Sequence, residues 1–295
     1  MKAPQVGQDI RPVGSDIALG ETVLSKGTIL GPGEVGLLAA VGVTEVLVSK
    51  LPRVAVLSTG NEIQEPGEKL LPGHIRDSNK TTLLALLAGN GVNAIDAGIA
   101  KDDLEKLTNA LQSAFDRSDV LVTTGGVSMG DRDLLRQVLV ANFGAEIHFA
   151  RVQMKPGKPT TFATCTVNNQ PKLIIGLPGN PVSATVTCHL YVLPAAKLLA
   201  GFSSPLPGKI RAKLVSQSPL PLDPRPKYTR VQLNFKPGSS VADAVPTGNQ
   251  ISSRLASITN ANGMLLLPAK SEAMKVAPAG YEFDAIIIGN IMLTL

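Results

Sequence analysis

Five polar turns between residues 58 and 183 hold most of the side chains suited to bind an anion together with a metal ion. They combine lysines, carboxylates and glycines, and several of them directly follow an apolar, strand-like run. In an open α/β sheet, such turns meet along the carboxyl edge of the strands, where these folds bind ligands. We therefore expect one site from the turns Ser58–Glu62, Ile75–Asn79, Thr124–Asp133, Met154–Pro159 and Leu177–Ser183.

Three of these turns are suited to an oxyanion. Gly125 and Gly126 follow a predicted strand, where glycine lets backbone N–H groups approach an anion, although a tight turn with positive φ also needs glycine. Lys155 and Lys158 lie in a stiff Lys-Pro-Gly-Lys-Pro loop, and the two like charges repel unless an anion neutralises them. The alternative for this loop is a solvated surface turn. The turn Leu177–Ser183 begins a helix whose N-terminus also favours an anion.

Four carboxylates lie at predicted strand ends or helix starts, namely Glu62, Asp77, Asp131 and Asp133. Asp77 and Asp131 are also explained as helix N-caps, whereas Glu62 and Asp133 have less structural reason to be there. Carboxylates beside a phosphate-binding turn supply the oxygen ligands that Mg²⁺ requires, and water and substrate complete its shell. The pattern predicts a Mg²⁺ site, with surface capping as the alternative for each residue taken singly.

Strand-like and helix-like runs alternate from Arg53 onward and position these turns. The spacing predicts strands at 54–57, 94–99, 120–122, 147–152 and 173–175, with helices that begin near residues 78, 102, 134 and 181. This rhythm is typical of a doubly wound, mostly parallel sheet, and we assign it to an α/β domain over residues 51–205. Residues 1–50, with a helix at 33–41 between short strands, are interpreted as a partial N-terminal domain. Residues 206–295 are interpreted as a β-rich, barrel-like domain.

Composition excludes several classes of protein. The 28 basic and 23 acidic residues are spread along the 295-residue chain, which has no Trp and three Tyr, so we expect no nucleic-acid partner. Two cysteines without metal spacing indicate a reduced, cytoplasmic protein, with a single disulfide as the alternative. The apolar stretch 181–199 is interrupted by polar residues, so we expect a buried helix and no transmembrane segment. The three histidines show neither metal spacing nor a nucleophilic triad.

In this order, the motifs resemble those of the molybdopterin molybdenumtransferase (molybdenum insertase) family, and most of all the E domain of eukaryotic gephyrin. The resemblance runs from about Gly7 to the C-terminus and therefore covers most of the chain. The motifs that carry it are Thr59-Gly60-Asn61-Glu62, Ile75-Arg76-Asp77-Ser78-Asn79, Gly125-Gly126-Val127-Ser128-Met129-Gly130, Lys155-Pro156-Gly157-Lys158-Pro159, Leu177-Pro178-Gly179-Asn180-Pro181-Val182-Ser183 and Thr247-Gly248-Asn249-Gln250.

The resemblance implies Mg²⁺-dependent insertion of molybdate into adenylylated molybdopterin, with release of AMP and the molybdenum cofactor. By motif position, Glu62, Asp77 and Asp133 are implied to serve Mg²⁺ and the adenylate phosphate. Molybdate and pterin oxyanions are implied to contact Lys155, Lys158, Ser183, Arg230 and Ser253. The catalytic set is Asp77, Asp133, Lys155 and Lys158, and the remaining cofactor-binding residues are Gly125, Gly126, Ser128, Pro178, Gly179 and Asn180.

Family members are usually dimers in which the partner subunit completes the cleft, so the resemblance implies a homodimer. The sequence lacks the family's part that precedes Gly7, including an Asp-Gly-Tyr-Ala segment that lines the cleft. It also has Lys227 and Thr229 where relatives tend to carry Glu and His. Two alternatives stay open. One is a gephyrin-like scaffold that binds receptor cytoplasmic loops or cytoskeletal partners, and the other is an inactive fragment that binds pterin without turnover.

Overall fold

The computed structural model describes residue 3, residues 6–126 and residues 134–293. Its two large sheets are a six-stranded α/β sheet and a β-barrel. The strands up to residue 177 are β1 (Arg53–Thr59), β2 (Ile63–Gln64), β3 (Ile75–Arg76), β4 (Asn93–Ala100), β5 (Val120–Thr124), β6 (Glu146–Phe149), β7 (Thr161–Val167) and β8 (Gln170–Leu177). The helices are α1 (Pro32–Ala40), α2 (Ser78–Gly89), α3 (Leu104–Arg117), α4 (Leu134–Phe143) and α5 (Pro181–Leu199).

The first sheet has the strand order β4-β1-β5-β8-β7-β6. Its strands β4, β1, β5 and β8 are parallel, while β7 and β6 add two antiparallel pairings. Helices α3 and α4 pack on one face and α2 and α5 on the other. Because both faces are covered, β1 and β5 are buried almost throughout, which explains their continuous apolar runs. The predicted doubly wound, mostly parallel sheet is confirmed.

One part of this sheet departs from the predicted alternation. The strand expected at 147–152 is β6, and its partner is β7, a strand that the sequence pattern did not predict. β7 and β8 form a hairpin whose two loop residues, Asn168 and Asn169, have φ values of 52° and 57°. Two central residues with positive φ are typical of a type I′ turn, and Asn tolerates this conformation. The parallel order therefore ends at β8.

Residues 6–51 form a segment without a core of its own. Helix α1 matches the helix predicted at 33–41, but none of the described residues of this segment lies in a strand, so the expected short strands are wrong. No residue of the segment is buried, and Val13, Leu19 and Leu47 are fully exposed. A strand needs a neighbouring strand to satisfy its backbone groups, and the described residues of this segment pair with no strand.

The second large sheet closes into a barrel, as predicted for the C-terminal region. The elements of this half are β9 (Lys209–Leu214), β10 (Leu220–Pro221), β11 (Lys227–Phe235), β12 (Ala242–Pro246), β13 (Gly263–Leu267), β14 (Val276–Ala277), β15 (Glu282–Ile287), β16 (Met292–Leu293) and a short 3₁₀ turn (Leu255–Ser257). Strand β12 pairs with both β9 and β11, which closes the order β12-β9-β15-β13-β11 around an apolar core. Strand β16 extends β11 on one side.

The barrel contacts the α/β sheet through an apolar cluster and a short backbone ladder. The cluster brings Met154 and Val182 together with Met264 and Ile286 of the barrel. In the ladder, the Lys155 N–H donates to the Pro226 carbonyl at 2.9 Å, and the Tyr228 N–H donates to the Lys155 carbonyl at 2.8 Å. The loop that carries Lys155 is therefore fixed against the start of β11.

Helix α5 supports this contact. Its middle turn, Cys188–Val192, is π-helical, and the side chains on both sides of that turn pack into the core. Within the described ranges it is the one helix long and apolar enough to cross a membrane, but 67% of its most apolar window is buried inside the protein. Such burial is typical of a core helix.

We predict that His189, on α5, makes stability fall on acidification. Burial, assisted by the nearby Lys197 charge, lowers the pKa of His189 to about 4 from 6.5. Between pH 6.5 and 4 the unfolded chain therefore binds a proton that the folded protein does not, and stability declines as the pH falls. From pH 7 to 4.5, the loss due to His189 is about 2–3 kcal/mol.

Urea unfolding at the two pH values measures this effect. The variant His189→Gln should lose less stability than the wild type by that amount. The variant His148→Gln, at an exposed position, should behave like the wild type. Equal losses in wild type and His189→Gln would contradict a neutral, buried His189.

Candidate functional site at the sheet edge and the barrel

The parallel strands define a crevice at their carboxyl ends. From β1 the chain first adds β4 on one side, and it then crosses over to add β5 and β8 on the other side of β1. The strand order therefore reverses between β1 and β5. In open α/β sheets, ligands bind in the crevice at this reversal point. The turns that leave β1 and β5 there are Gly60–Glu62 and Gly125–Gly126, two of the turns that the sequence indicates.

The backbones of these two turns are in direct contact. Gly125 and Gly126 have φ values of +84° and +66°. A Cβ atom at Gly125 would lie 2.4 Å from the Thr59 carbonyl oxygen, and one at Gly126 would lie 2.5 Å from the Thr59 Oγ1. Both positions therefore require glycine, for conformation and for space. The buried Thr59 hydroxyl has no hydrogen-bond partner among the described residues.

Asn79 joins the turn after β8 to this crevice. Its Nδ2 atom donates to the Thr124 Oγ1 at 2.7 Å and to the Gly179 carbonyl at 2.8 Å. Pro178 is buried, whereas Gly179 and Asn180 are exposed at the edge. Asn79 therefore holds the ends of β5 and β8 together. The sequence motif contained this residue, but residue type alone did not distinguish a bridging amide from a helix-start residue.

Asp77 places a carboxylate oxygen at the same edge without a partner. The residue is 2% exposed, and its Oδ1 accepts the Lys80 N–H at 3.0 Å, as predicted for an N-cap of α2. Its Oδ2 is buried and accepts no hydrogen bond from the described residues. Glu62 is exposed, with its carboxylate folded over Gly60. Ser128, Asp131 and Asp133 lie outside the described residues.

Lys155 is paired with a carboxylate of the barrel. Its Nζ lies 2.7 Å from the Asp223 Oδ2, and Arg225 holds the other oxygen of Asp223 at 2.9 Å through Nε. Burial alone would raise the pKa of Asp223, but the hydrogen bonds from Arg225 and Lys155 outweigh it and keep that pKa well below its usual range. Lys158 is half-buried, and its ammonium has no ion-pair partner among the described residues.

Arg230 is a buried cation without a carboxylate. It is 1% exposed, and its guanidinium donates to the Ser257 Oγ from Nε at 3.3 Å and from Nη2 at 3.2 Å. No ion pair to Arg230 occurs in the described part of the chain, and burial lowers its pKa to about 10. The loop around Gln250 fixes its backbone, because the Gln250 amide bonds both the Arg230 N–H and the Arg230 carbonyl.

The start of α5 is partly occupied by the barrel. The Val182 N–H, in the helix start that the sequence predicts to favour an anion, donates to the Ser252 carbonyl at 3.1 Å. Ser183 is buried in the same first turn, and Ser253 is exposed next to Ser252. The structure thus brings Ser183 and Ser253 to one side of the sheet–barrel contact, and Lys155 lies in that contact as well.

Three protein-family models match the chain. They are described as a probable molybdopterin binding domain, over residues 55–198, the MoeA N-terminal region (domain I and II), over residues 1–42, and the MoeA C-terminal region (domain IV), over residues 213–288. The chain therefore carries a MoeA N-terminal region, a molybdopterin-binding-type domain and a MoeA C-terminal region. A solved structure with a similar fold is the molybdopterin biosynthesis MoeA protein from Pyrococcus horikoshii. It has a TM-score of 0.75 and 30% identity, covering 93% of this chain and 64% of that one.

The chain spans less than two thirds of the length of the curated relatives it matches. It is 39% identical to the molybdenum cofactor synthesis protein cinnamon of Drosophila melanogaster and 38% identical to gephyrin of Dictyostelium discoideum, over 97% of this chain in both cases. It spans 46% and 43% of these two proteins. It is also 34% identical to molybdopterin molybdenumtransferase of Staphylococcus aureus, over 95% of this chain and 64% of that protein.

We predict that Gly125→Ala damages the crevice beyond the strain of its backbone. Gly91 is the matched control, because it has a φ of +73° but open space around its Cβ position. Gly91→Ala should cost about 1 kcal/mol from the positive φ alone. Gly125→Ala should cost about 1–3 kcal/mol more, because its Cβ collides with the Thr59 backbone.

The free energies of unfolding of the two variants in urea provide the comparison. A similar loss of unfolding free energy in both variants would contradict the close contact between the β1 and β5 turns.

Proposed function

We propose that this chain acts in molybdenum cofactor biosynthesis, by inserting molybdate into adenylylated molybdopterin with release of AMP. The observation that carries the proposal is Arg230, a guanidinium 1% exposed and without a carboxylate in the described structure. Leaving a charge buried and unpaired is costly, so such a cation favours an anionic ligand. The similarity to the molybdopterin molybdenumtransferase of Staphylococcus aureus supports molybdate as that anion.

The oxyanion ligands in this proposal come from both sides of the sheet–barrel contact. Lys155 and Lys158 supply ammonium groups from their loop, and Arg230 supplies its guanidinium from β11. Ser183 and Ser253 supply hydroxyl donors. Pre-placed donors of this kind stabilise developing negative charge without reorganisation. Lys155, with 43% of its side chain exposed, keeps donors accessible to a ligand.

The pterin and adenylate phosphate belong, in this proposal, to the crevice between β1 and β5. Gly125, Gly126 and Gly179 leave backbone open at the edge, and Pro178 and Asn180 frame the turn after β8. Glycine turns at a sheet edge bind phosphates through backbone N–H groups. Ser128 and Asp133 belong to the same set by their sequence position.

The residues of the crevice fit Mg²⁺ in a site shared with the substrate. The buried Asp77 Oδ2 has no hydrogen-bond partner among the described residues, and an unpaired carboxylate oxygen is the ligand type that Mg²⁺ prefers. Within the described ranges no group of three or more His, Cys, Asp or Glu side chains is placed to enclose a metal ion. Asp77, Glu62 and Asp133 would therefore hold the ion together with substrate phosphate and water. Bound there, Mg²⁺ would neutralise phosphate charge.

We also propose a cytoplasmic homodimer. The fully exposed Val13, Leu19 and Leu47 in the segment 6–51 support an association that covers them.

An AMP-release assay tests the proposed reaction. Purified protein incubated with adenylylated molybdopterin, Mg²⁺ and molybdate should release AMP, and Asp77→Asn should reduce the rate at least about tenfold because a neutral amide is a weaker Mg²⁺ ligand. The matched control is Asp103→Asn, which changes the N-cap of α3 and should keep the wild-type rate. Folded protein that binds molybdopterin in calorimetry but releases no AMP would indicate the inactive pterin-binding alternative.

We predict that Arg230→Met abolishes molybdate binding without lowering stability. Methionine fills a similar volume, and replacing a buried, unpaired charge by an apolar side chain is often neutral or stabilising, by about 1–4 kcal/mol for buried ion pairs. A structural Arg230 would give the opposite pattern. Calorimetric titration with molybdate and urea unfolding of the same samples separate the two, and a clear loss of stability with retained molybdate binding would contradict the proposal.

The scaffold alternative has one structural feature in its favour. A cavity of about 340 Å³ on the barrel is lined by apolar side chains that include Tyr228, Leu266 and Phe283, with Arg211 and Asp284 beside them. Such a mixture of apolar and charged groups suits a peptide. Binding of a receptor-loop peptide that is unaffected by Lys155→Ala would favour this function.

A further inference from the structure

Asp223 already accepts from the ammonium group that the proposed function assigns to an oxyanion. Its carboxylate accepts from the Lys155 ammonium at 2.7 Å, from the Arg225 Nε at 2.9 Å and from the Arg225 N–H at 3.1 Å. With 13% of its side chain exposed, the carboxylate is largely shielded from water. It belongs to the barrel, whereas Lys155 belongs to the loop after β6, so the ion pair crosses the sheet–barrel contact.

Cations outnumber this carboxylate around β11. Lys155 and Lys227 are bridged through their backbones, and Arg230 follows three residues later on the same strand. Burial, then the charges of Lys155 and Arg230, lower the pKa of Lys227, and Asp223 raises it. The charges of Lys155 and Arg230 therefore reach Lys227, and Asp223 offsets only part of their effect.

We propose that Asp223 is a resident anion that competes with the substrate oxyanion for Lys155 and so sets its affinity. This inference rests on the proposed function, in which Lys155 binds that oxyanion. An ammonium has three donors, and Asp223 takes one of them, so an oxyanion binds Lys155 while a carboxylate is still next to it. The two negative charges repel, and the affinity is lower than the cations alone would give.

Asp223 also compensates the neighbouring positive charges when no ligand is bound. Without it, Lys155, Arg225, Lys227 and Arg230 would place like charges around a partly buried contact. The carboxylate therefore stabilises the empty site and weakens the filled one, which favours release of an oxyanion product. A neutral side chain at this position would leave the cations uncompensated.

Calorimetric titration with inorganic molybdate at fixed, low ionic strength tests the proposal. Asp223→Asn should bind molybdate roughly fivefold tighter than the wild type, as expected for the loss of one partly exposed charge contact. Asp223→Ser, which removes the same charge and retains an acceptor, should act in the same direction. The charge-matched control is Asp243→Asn, since Asp243 pairs with Lys213 and Lys236 instead, and its affinity should stay near the wild-type value.

A double-mutant cycle assigns the effect to the contact. In a Lys155→Ala background, Asp223→Asn should no longer tighten binding. If Asp223→Asn binds no tighter than the wild type, or if Asp243→Asn tightens binding equally, Asp223 is not a competitor, while the oxyanion site itself stands. If Lys155→Ala leaves wild-type molybdate binding unchanged, or if no variant binds molybdate, the proposed oxyanion site fails and this inference fails with it.

Discussion

The sheet–barrel contact that holds Lys155 and Arg230 depends on β11, which is hydrogen-bonded both to the barrel and to the Lys155 loop. The strand pairs with β12 and β13 inside the barrel, and its first residues also exchange backbone hydrogen bonds with Lys155. The barrel fixes the position of Arg230 in this strand, and the ladder fixes Lys155 relative to it. A hydrophobic cluster seals the same contact, so water does not screen the cations fully. Without this shared strand, the lysine loop and the buried arginine would belong to separate surfaces.

Burial then decides which charges are available to a ligand. Lys155 has a carboxylate partner and stays partly exposed, whereas Arg230 is buried and, within the described ranges, donates from its guanidinium to the Ser257 hydroxyl alone. A buried guanidinium held by one neutral group is poorly compensated, and the lowered pKa reflects that burial. The protein keeps this residue in a rigid strand whose backbone is tied by Gln250. A buried, poorly compensated guanidinium of this kind lowers stability unless a bound anion offsets the cost.

The sequence predicted the parallel sheet well because its signal is local. The buried strands β1 and β5 are continuous apolar runs, and Asp77 caps α2 as its residue type indicates. The β7–β8 hairpin was missed because its signal is a pair of Asn residues whose positive φ appears only in the structure. The pairing of Lys155 with Asp223 joins residues 68 positions apart across two sheets, and no spacing rule reveals such a contact. The strands expected before residue 50 were wrong because apolar, β-branched residues indicate strands only where a neighbour exists.

Asp77 and Arg230 are two buried groups of opposite charge type that the described residues leave uncompensated. Among those residues, the Asp77 Oδ2 at the sheet edge has no hydrogen-bond partner and the Arg230 guanidinium in the barrel has no carboxylate. They do not pair with each other in the structure, although both are buried. A simple anion would satisfy the arginine and leave the carboxylate, and a simple cation would do the reverse. In the proposed function, a substrate that carries phosphate-type oxygens together with Mg²⁺ would satisfy both groups, because its oxygens would pair with the arginine and its divalent cation with the carboxylate.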